Sequence, residues 1–409
     1  MISYLEALSL LEQNAKPLLT EEIKTQNSLG RILSEDIFSP IDLPSFDNSA
    51  MDGFALKADE TLFASMDDPT LFLINEVIAA EIQTPKTASL VSCICSQIMT
   101  GAAIPLGYDA VIPVELAEEV KLDNKRYIKI KDKVNKFANV RFKGEDVKSG
   151  SLILNAGTEI KPSEIMLFLA LGIANIKVFK PIDIAIASTG NEISDEYDKP
   201  LAYGEIYNSN SPLLINLANK SCFAPRYAGV LQDNSESLCD FIDKSSEQLL
   251  ITTGAVSKGI WDFIPNTLRK LGAEIIFHSV AIRPGKPILF ARLADGRLFL
   301  GLPGNPVSSM VGWRFFATPL FYAMWGKKRE IPLRLRLKNE FKKNHKLRQF
   351  LKAELSIENG TIYAEIANGQ ESFKIKPLTT SSIWAIVNEQ DTHMKSGDLI
   401  SAVPLYVNL

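Results

Sequence analysis

Histidine is nearly missing from this 409-residue chain: His278, His345 and His393 stand far apart and form no HExxH pattern. A zinc site built on imidazole is therefore not expected, and any metal should be a hard cation held by oxygen. Cysteine is also sparse. Cys93, Cys95, Cys222 and Cys239 show no CxxC spacing, which argues against a disulfide framework and suits a reducing compartment. Basic charge is not in excess: 44 Lys and Arg against 48 Asp and Glu leave a net −4, unlike a protein that grips a nucleic-acid backbone. No apolar run reaches membrane-spanning length, the richest being IMLFLALGIA from Ile165 to Ala174. The opening MISYLEALSLLEQNA has no basic leader and is interrupted by Glu6 and Glu12. It reads as an amphipathic helix with Tyr4, Leu8, Leu11 and Ala15 on one face and a Ser3/Glu6 capping box. A cytoplasmic protein with no membrane or nucleic-acid partner is expected.

With 46% hydrophobic and 22% charged residues the chain should fold, and its length calls for about two to four domains. Changes of periodicity divide it as follows. Residues 1–26 hold the helix, expected to pack on the α/β domain, and 27–44 with 147–180 read as a β-rich linker domain. Residues 45–146 mix short strands with Gly and Pro turns and look like an insertion. Residues 181–328 alternate strand and helix, the signature of a doubly wound α/β domain with a parallel sheet. There Ser211 is a candidate helix cap with Pro212 in first position, and Asp233 and Glu236 have capping-box spacing. From 329 to 409 the period falls to two, with hairpin signals at Asn359-Gly360 and Asn368-Gly369, so a small β domain is expected. The fold class is multidomain α/β plus β.

In open α/β sheets ligands bind beyond the carboxyl ends of the strands. Three segments there combine Gly with hydroxyls: STGNE (Ser188 to Glu192), TTGAVSKG (Thr252 to Gly259) and LPGNPVSS (Leu302 to Ser309). Small residues let backbone N–H groups approach an anion, and a helix starting near Pro306 would add its positive end. PGNP is equally a tight strand-to-helix turn, but three such loops on one sheet favour a phosphate or nucleotide ligand. AIRPGKPILF sets Arg283 and Lys286 around a Pro-Gly turn, either to meet an anion or as a solvated basic hairpin. Asp233 and Asp262 read equally as helix-terminus carboxylates or as functional groups, whereas Glu192 follows Gly190 and Asn191 with no cap to explain it. A second oxygen-rich group lies in the insertion. LPSFDNSAMDGFAL carries Asp47 and Asp52, IMTGAAIPLGYDAVIPVE carries Thr100 and Gly101, and RFKGEDV carries Glu145 and Asp146. Asp52-Gly53 is a strong hairpin dipeptide, so a turn competes with a cation-binding loop.

FDNSAMDGFA, IMTGAAIPLGYDAVI, GEDV, ASTGNE, GEIYNSN, TTGAVSKGIWD, RPGKP and GLPGNPVSS follow one another in an order and spacing that resemble the molybdopterin molybdenumtransferase family, the MoeA-type molybdenum insertases related to the gephyrin E domain. The resemblance covers essentially the whole chain. It implies a MogA/MoaB-like α/β domain beside an inserted α+β domain, a β-rich linker and a C-terminal β-barrel-like domain. It also implies a homodimer that inserts molybdenum from molybdate into adenylylated molybdopterin, releases AMP and needs Mg2+. Motif matching implies catalytic roles for Asp47, Asp52, Thr100, Asp146, Glu192, Asp233 and Asp262, with Glu192 and Asp233 as Mg2+ ligands. Substrate would be met by Ser188, Thr189, Gly190, Thr253, Gly254, Ser257, Arg283, Lys286, Pro303, Gly304, Asn305, Pro306 and Ser308. In such a family Asp47 and Asp52 of one subunit would complete the site of the other. A separate molybdopterin adenylyltransferase and molybdoenzyme-side chaperones are the implied partners.

Three positions depart from the family pattern. Ala255 replaces a glycine and disfavours a backbone angle that glycine tolerates. Gln248 replaces an acidic residue, and Ser279 stands where a basic residue four before Arg283 is often used. A catalytically impaired molybdopterin-binding scaffold of the same fold is the alternative these departures raise.

Overall fold

The computed structural model describes residues 1–82, 84–256 and 263–407. The chain forms two compact units, one of Met1–Glu35, Ala156–Ile165 and Asn175–Leu409, the other of Asp36–Asn155 and Met166–Ala174.

The first unit is built on a six-stranded sheet whose order is Phe223–Leu231, Ile182–Thr189, Leu249–Thr253, Leu298–Leu302, Leu289–Arg292, Glu274–His278. The first four are mutually parallel, as the strand–helix alternation predicts, and the apolar runs of Ile182–Thr189 and Leu249–Thr253 are buried almost throughout, as a sheet covered on both faces requires. Leu289–Arg292 runs antiparallel to both of its neighbours, Leu298–Leu302 and Glu274–His278. Asp295-Gly296 makes this possible: with Gly296 at φ +87°, it closes a hairpin between Leu289–Arg292 and Leu298–Leu302.

The N-terminal helix is Tyr4–Asn14, with Ser3 Oγ accepting from Glu6 N at 3.2 Å as the capping box predicts. Its Tyr4 ring meets Phe316 and Phe350 edge-on, at centroid distances of 5.7 and 5.3 Å. The apolar stretch after PGNP is not one uniform α-helix. It runs as Pro306–Gly312, a π turn Trp313–Ala317 and Thr318–Met324, all buried apart from edges. Phe315 of the π turn stacks on Phe350 with centroids 3.8 Å apart, so a C-terminal barrel strand shares this core.

That barrel closes because Arg348–Glu358 pairs with Thr361–Ile366 on one side and Ile383–Val387 on the other. Asn359-Gly360 is the expected hairpin, both residues at positive φ (49° and 76°). Asn368-Gly369 is not one: the next strand pairs with Arg348–Glu358 instead, and Gly369 opens a loop folded around Lys352.

In the second unit six strands order as Ala110–Pro113, Gly53–Leu56, Ile94–Ile98, Thr70–Ile78, Lys125–Ile130, Glu118–Leu122 around Phe54, Phe72, Ile128 and Ile130. Gly53 corrects the hairpin reading of Asp52-Gly53. It begins a central strand paired on both sides, and a Cβ there would collide with the Ile112 carbonyl oxygen. Among the described residues no helix is long and apolar enough to cross a membrane.

Gly53→Ala should therefore destabilise the protein by about 3 kcal/mol, the upper range of overpacking costs. Denaturant unfolding that moves by less than about 0.5 kcal/mol would show that the backbones part freely.

Candidate active site

The strands Ile182–Thr189, Leu249–Thr253 and Leu298–Leu302 are neighbours in the sheet, so the three Gly-containing loops emerge side by side. They are also fastened together. Gly254 N donates to Leu302 O at 2.9 Å, Thr189 Oγ1 to Thr253 O at 3.1 Å, and a Cβ on Gly254 would lie 2.5 Å from the Thr189 carbonyl oxygen. Gly254 at φ +106° is thus needed for conformation and for space. Beneath the loops Ser188 is fully buried, its hydroxyl bonded to Asn208 Oδ1 at 2.9 Å and Ser211 Oγ at 2.7 Å, with Thr253 Oγ1 at 3.3 Å. Ser188 therefore ties the loops to the helix Asn210–Leu217. Ser211 sits inside that helix and is not its cap, and Ser209 occupies the capping position.

These loops border a cleft of about 750 Å³. Thr189, Glu192, Asp233, Thr253, Gly254, Pro303, Gly304, Asn305 and Pro306 all line it. Gly190 is buried beside it at φ +152°, and a Cβ there would stand 2.8 Å from the Glu192 carboxylate. Ser308 is buried in the helix Pro306–Gly312. That helix offers fewer free donors than its position suggests, because Val307 N already donates to Ser372 O at 3.1 Å. Ser257 and Asp262 lie outside the described residues.

Asp233 is not a helix cap. Asn234 caps Ser235–Lys244, accepting from Ser237 N at 2.9 Å, while Asp233 donates its backbone N–H to Asn191 Oδ1 at 3.2 Å. Its carboxylate accepts from the backbone of Asn191, which lowers its pKa but does not prevail. Burial, and then the negative charge of Glu192, push its pKa above the usual aspartate range. The structure thus puts two carboxylates near each other on a glycine-rich cleft. No group of three or more His, Cys, Asp or Glu side chains is clustered to hold a metal among the described residues.

Arg283 and Lys286 are exposed and form no ion pair among the described residues, while Pro287 of the same turn lines the cleft. The turn is not a free hairpin. Ile282–Arg283 joins the barrel sheet beside Arg348 and Gln349, and Gly285 faces the Ser308 carbonyl, 3.6 Å from where a Cβ would stand. Asn208 and Asn210 were not among the sequence candidates, yet both line the cleft. The signal was NSN at the start of a helix.

The second oxygen-rich group lies entirely in the second unit. Asp52 Oδ1 accepts from Thr100 N at 2.7 Å and Thr100 Oγ1 at 2.9 Å, which holds its carboxyl below the usual range. Asp47 Oδ1 accepts from Lys143 N at 2.7 Å and lines, with Gly101 and Lys143, a groove of about 840 Å³. Asp146 is exposed close by in sequence, its N–H bonded to Leu43 O at 3.0 Å.

Of the departures, Ala255 adopts φ +50°, the left-handed region glycine would occupy freely, and Gln248 has a buried Oε1 without a partner. Ser279 is buried at φ +75°. Ala255→Gly should stabilise the protein by up to about 1 kcal/mol and Ala255→Val destabilise it by about 1–2 kcal/mol. Equal melting temperatures for both variants would contradict a strained Ala255.

Known proteins agree with this architecture along the whole chain. A family model described as the MoeA N-terminal region (domain I and II) matches residues 2–172, and one described as a probable molybdopterin binding domain matches residues 185–323. The chain is 36% identical over 404 residues to the molybdopterin molybdenumtransferase of Synechococcus elongatus, spanning 97% of this chain and 98% of that protein. It is 31% identical over 388 residues to the Bacillus subtilis protein of the same name, spanning 94% and 89%. A solved molybdopterin biosynthesis moeA protein from Pyrococcus horikoshii superposes with a TM-score of 0.82 at 26% identity, over 98% of this chain and 99% of that one. The chain belongs to the molybdopterin molybdenumtransferase family.

Proposed function

We propose that this protein inserts molybdenum from molybdate into adenylylated molybdopterin and releases AMP. The observation that carries this reading is the pairing of Glu192 with Asp233 on a cleft walled by three glycine-containing strand ends. Backbone N–H groups at such loops, with Arg283 and Lys286 unpaired nearby in the fold, favour an anionic substrate. Two carboxylates facing that substrate repel it unless a cation lies between them. Mg2+ suits this donor set, because it takes one or two carboxylates and completes its shell with water and substrate phosphates. Glu192 and Asp233 are the residues that would hold it. When bound, Mg2+ neutralises negative charge on the phosphoanhydride that is cleaved.

The remaining work falls to this chain's own groups. Glu192 and Asp233 orient the anhydride, and Thr189, Gly254 and Gly304 bring it against the strand ends. Cleavage of a phosphoanhydride needs positioning and charge compensation rather than a covalent nucleophile. The oxygen-rich group of Asp47, Asp52, Thr100 and Asp146 is proposed to serve the same reaction in a homodimer. Exposed Met166 and Leu169, at 71% and 48%, on the helix Pro162–Ala170 support self-association. Adenylylation of the pterin is assigned to a separate protein, delivery to molybdoenzymes to chaperone-like partners, and the location is cytoplasmic. A pterin-binding scaffold without turnover is the second reading, favoured by the left-handed Ala255 and the unpartnered Gln248.

Purified protein given adenylylated molybdopterin, molybdate and Mg2+ should release AMP. Glu192→Gln should lower kcat at least about a hundredfold. Asp47→Ala should abolish turnover while the first unit keeps its fold by hydrogen exchange. Absence of AMP release, with tight pterin binding intact, would favour the scaffold.

Asp233 supplies a test independent of turnover. A carboxyl whose folded pKa is raised stabilises the fold below its ordinary range and loses that contribution as pH rises through the folded value. Asp233→Asn should therefore melt higher than wild type at pH 7 without metal, with the difference vanishing in acid. Mg2+ should raise the wild-type melting temperature and leave the variant's unmoved. The reverse order at pH 7 would remove Asp233 from the charge pair.

A further inference from the structure

Lys352 is 1% exposed in the barrel strand Arg348–Glu358 and forms no ion pair among the described residues. Its ammonium donates instead to three backbone carbonyls of one loop, Gly369 at 2.6 Å, Lys374 at 2.9 Å and Glu371 at 3.3 Å. Gln370 completes the grip: Lys352 N donates to Gln370 Oε1 at 3.0 Å, and Gln370 Nε2 donates to Lys352 O at 2.8 Å. A buried cation must have its donors matched, so this loop is wrapped around it. The loop's Ser372 carbonyl accepts from Val307 N, which fastens it to the helix that follows PGNP. Phe373 is carried between these anchors. It is 65% exposed, yet it lines the cleft described above.

Asn210, 8% exposed, lines the same cleft. Its Nδ2 donates to Gly304 O at 2.7 Å, which fixes the orientation of the amide and leaves Oδ1 as a buried acceptor with no partner. An exposed aromatic face on a braced support and an unmatched acceptor on one cleft ask for a flat ligand that carries an N–H donor.

We propose that Phe373 and Asn210 form a ring-recognition subsite, Phe373 covering the face of a planar heteroaromatic amine and Asn210 Oδ1 accepting from its N–H. This rests on the proposed function, because adenine and pterin are both rings of that class. Lys352 is a positioning residue: it touches no substrate and holds Phe373 in place.

The test is titration of wild type and variants with AMP and, separately, with molybdopterin, alongside steady-state kinetics. Phe373→Ala should weaken one of these ligands about tenfold, and Phe373→Tyr should restore it. KM should rise by a similar factor with kcat within about twofold. Loss for AMP assigns the adenine, and loss for molybdopterin assigns the pterin. Asn210→Leu should weaken the same ligand as Phe373→Ala. Lys352→Met should reproduce the Phe373→Ala loss, with no further loss in the double variant. Should Lys352→Met fail to fold, the exposed Phe373 still decides. Unchanged affinity for both ligands in folded Phe373→Ala overturns the subsite, as does a wild type that binds neither. A wild type that binds but does not turn over overturns the insertase reading alone.

Discussion

The candidate site depends on the parallel pairing of three adjacent strands whose carboxyl ends are locked by buried hydrogen bonds. Ser188, Thr253, Ser211 and Asn208 share hydroxyl and amide contacts under the loops, and all four are buried. An unmatched hydroxyl there would cost about 1–3 kcal/mol, so each partner restricts the others. That restriction lets Gly254 approach Thr189 and Gly304, and it places Glu192 and Asp233 on the cleft. The small residues are thus a packing requirement before they are a binding feature.

One charge in this site, that of Asp233, is held against stability. Asp233 has its pKa raised by burial and by Glu192, and Arg283 and Lys286 are left without carboxylate partners among the described residues. Asp52 differs. Thr100 supplies two donors to its carboxylate, so it is already committed to holding its own loop.

Much of the architecture could be read from local pattern. Alternating strand and helix gave the parallel core of the sheet, Ser3 and Glu6 gave the first cap, and Asn359-Gly360 gave its hairpin. Local signals failed where a tertiary contact outweighed them. Asp52-Gly53 has the composition of a turn, but glycine is required there by the Ile112 carbonyl across the sheet. Asn368-Gly369 looks the same in sequence and is diverted by the buried Lys352 ammonium. Asp233 has cap spacing, yet Asn234 takes the cap one residue later. Asn208 and Asn210 stand in the GEIYNSN segment with no role of their own, because asparagines at the start of a helix are ordinary, and only the cleft distinguishes them.

The order of glycine, hydroxyl and carboxylate segments in the sequence determined the family, because hydropathy period and turn composition act over a few residues and survive without the fold. Which of those groups share a cleft was decided by strand order in the sheet and by the loop closed around Lys352. Both depend on contacts between residues far apart in the chain. Their energies come from burial and hydrogen-bond matching, terms that no short stretch of sequence carries by itself.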